Sequence, residues 1–96
     1  MEHSEFVKYK KIAIYEQNKL LENYDIAVDE ESLDKLLVNN LIQKYKNKKD
    51  VSQIIKMLSH LRFQSNSLQA HKDRAVYRTR LYMFAHGIRK KKVKKQ

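Results

Sequence analysis

The chain contains no cysteine, no proline and a single glycine, Gly87. Without thiols there are no disulfides, no zinc–thiolate sites and no cysteine nucleophile. Sandwiches and barrels need many turn residues, and this composition supplies almost none. Helices joined by short polar connections are the default. No apolar run approaches the roughly 18 residues of a membrane span, so no membrane partner is expected. Met1–Lys11 mixes charges where a signal peptide would carry an apolar stretch. The expected location is cytoplasmic, nucleoid-associated if the source is bacterial.

Acidic residues are scarce in one half only. Residues 51–96 hold twelve Lys and Arg against one acid, Asp73, a balance of +11; residues 1–50 hold nine Lys against ten acids, a balance of −1. Every Arg lies in the second half. A balanced half beside a strongly basic half reads as a scaffold joined to a polyanion-binding surface. With 96 residues, 42% of them hydrophobic, the chain makes one small domain with a thin core. A homodimer interface or a bound partner is expected to complete that core.

Apolar spacing predicts a first helix over about Ser4–Asn23, with Phe6, Tyr9, Ala13, Leu20, Leu21 and Tyr24 on one face, flanked by Val7 and Ile14. Ile12 and Tyr15 point elsewhere, toward another subunit in this reading. Asp25–Val28 reads as a connector. A second helix starts near Glu30 with Asp29 as N-cap, acids in its first turns and Lys44–Lys49 at its end. Its apolar residues, from Leu33 to Tyr45, wrap over half the circumference and predict a central position. Asp50-Val51-Ser52-Gln53 has the form of a capping box for a third helix, with Val51, Ile54, Leu58 and Leu61 on its buried face. The pattern falters at Gln64–Ser67, and a break is favoured there over one continuous helix. A fourth helix then packs through Leu68, Ala75, Val76, Thr79, Tyr82 and Met83, ending before Gly87. Six of the nine residues 88–96 are cationic, which predicts a flexible tail.

Opposite that seam, Ser67, His71, Arg74 and Arg78 share one face of the fourth helix, and Arg80 lies on another side. Arginine forks grip phosphate or pair with guanine edges. Such a helix with an apolar back has the form of a recognition helix in a major groove. Arg74, Arg78 and Arg80 are the expected DNA contacts, with Ser67, Gln69 and His71 beside them. Arg89, Lys90, Lys91, Lys92, Lys94 and Lys95 would add sequence-independent phosphate binding. Catalysis is not expected. One carboxylate in the basic half is too few to hold Mg²⁺ for nuclease chemistry. The four histidines have no metal-ligand spacing, and there is no Gly-rich phosphate loop.

Arg74-Ala-Val-Tyr-Arg78-Thr-Arg80-Leu81 followed by Gly87 looks somewhat like a stretch in small mobilisation accessory proteins of conjugative plasmids, which implies binding at a transfer origin. Met83-Phe-Ala-His-Gly87-Ile88-Arg89 is similar to the end of a recognition helix in winged-helix repressors, which implies operator binding as a dimer. Ile88 and Val93 stand at opposite parities, a departure from the alternation a wing strand needs.

The expected fold is all-α, a small single domain of three to four helices. A helix-turn-helix, or its winged-helix variant, is expected in the C-terminal half. Residues 1–88 form the domain, with 1–50 as scaffold and dimerisation part and 51–88 as DNA-binding part; 89–96 are the tail. The expected function is non-enzymatic binding of double-stranded DNA, as a transcriptional repressor or a DNA-processing or mobilisation accessory factor of a mobile element, plasmid or phage. The alternatives are a phage-type protein-binding inhibitor or adaptor docking on an acidic groove of a nucleic-acid enzyme, and an RNA- or ribosome-associated protein.

Overall fold

Four α-helices follow one another in the computed structural model: α1 (His3–Asn23), α2 (Glu30–Lys44), α3 (Lys48–Arg62) and α4 (Leu68–Lys94). The structure describes residues 3–23 and 29–94, with side chains as far as Lys90. The expected connector over Asp25–Val28 and the face position of Tyr24 lie outside the described residues. Packing runs α1 on α3, α3 on α4, α4 on α2, and more lightly α2 on α1. The circuit leaves α2 and α3, neighbours in sequence, on one diagonal.

Local chemistry explains most of the boundaries. Asp29 caps α2 as its sequence position predicts: its carboxylate accepts from Ser32 N–H at 2.9 Å and from the Ser32 hydroxyl at 2.9 Å. These bonds hold the Asp29 carboxyl below its ordinary pKa. The cap of α3 differs from the expectation. Asn47, three residues earlier than Asp50, accepts from Lys49 N–H at 2.8 Å and starts the helix. Asp50 sits inside the first turn and instead accepts the Tyr9 hydroxyl at 2.7 Å, tying α3 to α1. The break at 63–67 is present, and Ser67 caps α4, its Oγ accepting from Ala70 N–H at 3.1 Å.

The core is built from Leu37, Val38, Leu41 and Ile42 of α2 and Val51, Ile54, Ile55 and Leu58 of α3, with Tyr9, Ala13 and Leu20 of α1. On α1 the face is turned from the expected one. Phe6, Ile14 and Leu21 are partly exposed, Ile12 packs against the core, and Glu16 is buried. Glu16 is retained there because Lys44 donates to it at 2.7 Å and the Tyr45 hydroxyl at 3.1 Å. Tyr15 faces outward as expected.

The largest difference concerns α4. Its buried residues are Ala70, Tyr77, Leu81 and Ala85, with Phe84 and Ile88 packed alongside. The expected seam is the outer face: Leu68 is 71% exposed and Val76 and Met83 are each 67% exposed. At 100° per residue the two stripes are centred about 180° apart. Periodicity alone cannot choose between them. Packing selects the stripe whose Ala70 and Ala85 allow close approach and whose tyrosine finds a buried partner. The helix also runs through Gly87 to Lys94, so residues 88–94 form neither a wing strand nor an unstructured tail. A helical Gly costs roughly 1 kcal/mol against Ala, too little to end a helix of this length.

Candidate nucleic-acid interface

The turn between α3 and α4 is fastened from within. Arg74 donates to the carbonyl of Phe63, and to that of Ser65 at 3.0 Å. One guanidinium thus satisfies carbonyls that the end of α3 leaves without helical partners. The expected DNA-reading Arg74 is therefore half-buried and largely spent on holding the two helices together.

The other expected contacts separate into two groups. Gln69 donates to Asp73 at 2.9 Å, and at 100° per residue it faces well away from Arg74 and Arg78. Arg80 turns toward α2, where its guanidinium lies 3.9 Å from Asp34 Oδ2 and stacks on Tyr77. Ser67 is occupied as the α4 cap. Arg78 and His71 do share the Arg74 side of the helix, and Arg89 continues that row about three turns beyond Arg78. Lys90 is exposed on the outer face of α4. Lys91, Lys92 and Lys94 belong to the helix, but their side chains, like the whole of Lys95, lie outside the described residues.

The row on α4 is matched by one on α3. Lys56 and His60 stand four residues apart on the outer side of α3, next to Arg74 and Arg78. The electrostatics of His60 report their proximity. Its pKa is lowered first by partial burial, then by the charges of Arg74, Arg78 and Lys56, with no carboxylate among the described residues opposing them. Among the described residues, no acid forms an ion pair with Lys56, His60, His71 or Arg78. Tyr82 borders this face, its hydroxyl donating to the Ser52 carbonyl at 3.3 Å.

The acids are on another side. Arg62 pairs with Glu30 and Arg80 with Asp34, so α2 neutralises cations turned toward it, while Glu31 pairs with Lys35 of α2 itself. Asp34 is buried, and desolvation raises its pKa against the lowering effects of Tyr77 and Arg80. At one end of the cationic face a cleft of about 390 Å³ opens between α1 and the α3–α4 turn. Phe6, Met57, His60 and Phe63 line its wall, and Lys10 and Arg74 supply its charge.

Lys56, His60 and Lys10 were not among the residues expected from sequence. The four-residue spacing of Lys56 and His60 on the solvent side of an amphipathic helix was the available signal. Which helix would lie beside α3 was not. Among the described residues, no three His, Asp or Glu side chains are grouped to hold a metal ion, and no helix is long and apolar enough to cross a membrane. Comparison of the chain with protein-family models, with curated proteins and with solved structures finds no match in any of the three.

Proposed function

We propose that this protein binds nucleic acid, duplex DNA in the first place, through the α3–α4 face formed by Lys56, His60, His71, Arg78 and Arg89. In this reading it is a non-enzymatic factor of the regulatory or DNA-processing kind. The observation that carries the proposal is the run of cations around His60 with no carboxylate of the described residues among them, in a molecule that pairs Arg62 and Arg80 with α2 acids. Like charges gathered on one face repel one another. A polyanion removes that repulsion and releases its own counterions on binding. Arg78 is the fork left free to grip phosphate or a base edge. Arg74 is the residue that positions it, by fixing α4 against α3.

The test is fluorescence anisotropy with a mixed-sequence duplex, single-stranded DNA of the same sequence and an RNA hairpin, over a salt series. Lys56→Ala with Arg78→Ala should weaken duplex binding and reduce the log–log salt slope by about 1.8, or roughly 0.9 for each phosphate left unneutralised. An unchanged slope in that double variant overturns the assignment of the face. Tighter binding of RNA than of duplex overturns the choice of DNA.

A further inference from the structure

Among the described residues, the outer stripe of α4 carries the three most exposed large apolar side chains, Leu68, Val76 and Met83, ahead of the partly exposed Phe6, Ile14, Tyr15 and Leu21 of α1. Leu68, Ala75, Val76, Thr79, Tyr82 and Met83 follow one another along the stripe. From Leu68 to His86 it extends about 27 Å at 1.5 Å per residue. Leu68, Val76 and Met83 are more than 60% exposed. These are the residues whose spacing reads as a buried seam, and within the monomer Tyr82 alone of them makes a side-chain hydrogen bond to another helix, to the Ser52 carbonyl.

The stripe has a shape as well as a hydropathy. Thr79, Tyr82, Met83 and His86 stand at i, i+3, i+4 and i+7, the four positions that frame a hole on a helix surface. Together with Gly87 they line a shallow apolar depression of about 340 Å³. A Cβ added at Gly87 would meet nothing within 4 Å, so that edge of the depression is open to an approaching helix. The same stripe carries the most exposed large apolar side chain among the described residues, Leu68 at 71%. One surface thus presents both a knob and a hole.

We propose that this face is the homodimer interface, with two copies of α4 packed antiparallel so that Leu68 of each copy enters the Thr79–Tyr82–Met83–His86 depression of the other. A two-fold axis uses the knob and the hole twice, as an isologous contact requires. The register follows. Leu68 opposite the Tyr82–Met83 midpoint places the axis at Ala75–Val76, where the small Ala75 lets the helices approach and the exposed Val76 gains an apolar partner. Charge selects the direction. Side by side in a parallel pair, the two cationic ends from Arg89 to Lys94 would repel each other. Antiparallel pairing puts them at opposite ends of the seam, tens of ångströms apart and beyond effective screening range. Lys72, the cation within the stripe, can lay its stem along the seam and keep its ammonium in water. The expected dimerisation role of residues 1–50 is thereby reassigned to α4. The inference does not depend on what the cationic face binds.

The experiment is sedimentation velocity on full-length protein freed of nucleic acid. The wild type should sediment at twice the 11.6 kDa chain mass. Leu68→Glu with Met83→Glu should sediment as the monomer with unchanged helical circular dichroism, both side chains being solvent-exposed in the single chain. A monomeric wild type, or a double variant that remains dimeric, overturns the proposal. Because the chain has no cysteine, introduced thiols report the register. Val76→Cys should oxidise to a covalent dimer. Leu68→Cys should not, since its own copy would lie about 22 Å away along the axis. Cross-linking at position 68, or at neither position, overturns the antiparallel register.

Discussion

The hydroxyl of Tyr77 donates to Oδ1 of Asp34 at 3.2 Å, a hydrogen bond that crosses the core from α4 to α2. Burial, with Asp34 nearby, pushes the Tyr77 pKa up to about 12 from 10.0. An acid whose folded pKa is raised stabilises the fold below its unfolded value and loses that contribution as pH rises through the folded one. Wild-type stability should therefore fall between about pH 10 and pH 12. Tyr77→Phe should lack this loss in urea titrations across the window. At neutral pH the same substitution should cost roughly 1–3 kcal/mol, because it leaves a buried carboxylate short of a donor.

Asp34 obeys the same sign at the other end of the scale. Burial raises its pKa above 3.8. Its protonated form favours the fold below that value, and the benefit disappears as pH rises through the elevated folded value. Asp34→Asn, which keeps an oxygen for Tyr77, should gain stability relative to wild type as pH rises across that window. Melting temperatures measured from pH 3 upward in matched ionic strength check it.

His60 links the cationic face to pH. Its pKa is lowered by burial and by three neighbouring cations, so the folded chain sheds a proton that the unfolded chain keeps. Stability should fall as pH drops below the ordinary histidine value of about 6.5. Phosphate at this face would offset the cations and restore the proton. Affinity for DNA should then rise as pH falls from 7.5 to 5.5, and His60→Gln should flatten that rise. Histidine chemical shifts in free and bound protein report the pKa directly.

Arg74 and Arg78 occupy adjacent turns of one helix face but should respond oppositely. Arg74→Ala removes the donor to the Phe63 and Ser65 carbonyls and should lower stability by about 1.5–3 kcal/mol. Arg74→Lys should restore only part, since one ammonium lacks the planar fork. Arg78→Ala should change stability by less than about 0.5 kcal/mol while weakening DNA binding. Thermal melts and anisotropy on the same two variants separate positioning from direct binding.

Gly87 stands inside α4 with open space where a Cβ would go. Gly87→Ala should raise stability by roughly 0.5–1 kcal/mol through helix propensity, visible as a higher melting temperature.

The contrast between α2 and α4 explains what could be read from the sequence. Asp29, the acids that follow it and the closely spaced leucines of α2 all favour the same boundary, the same polarity and burial on more than one side, so the sequence left no competing solution. On α4 two apolar stripes oppose each other. The choice depended on Asp34, which lies 43 residues from Tyr77 in sequence and nowhere near it in any local pattern. The function of Arg74 was hidden for a related reason. Its partners are main-chain carbonyls of the turn before α4, and these carry no side-chain signature. The cationic character of the second half was legible from composition, but the side of the fold it would occupy was decided by which arginines the α2 acids captured.

The sorting of charge between α2 and the α3–α4 face makes the charge distribution of the described residues one-sided. Glu30, Glu31 and Asp34 are each matched by a cation on the α2 side, whereas Lys56 and Arg78 pair with no acid among the described residues. In the field of a polyanion such a molecule experiences a torque before any atom touches. It rotates during approach, and fewer collisions are wasted on the wrong side. Association at low salt should then exceed what net charge alone would give.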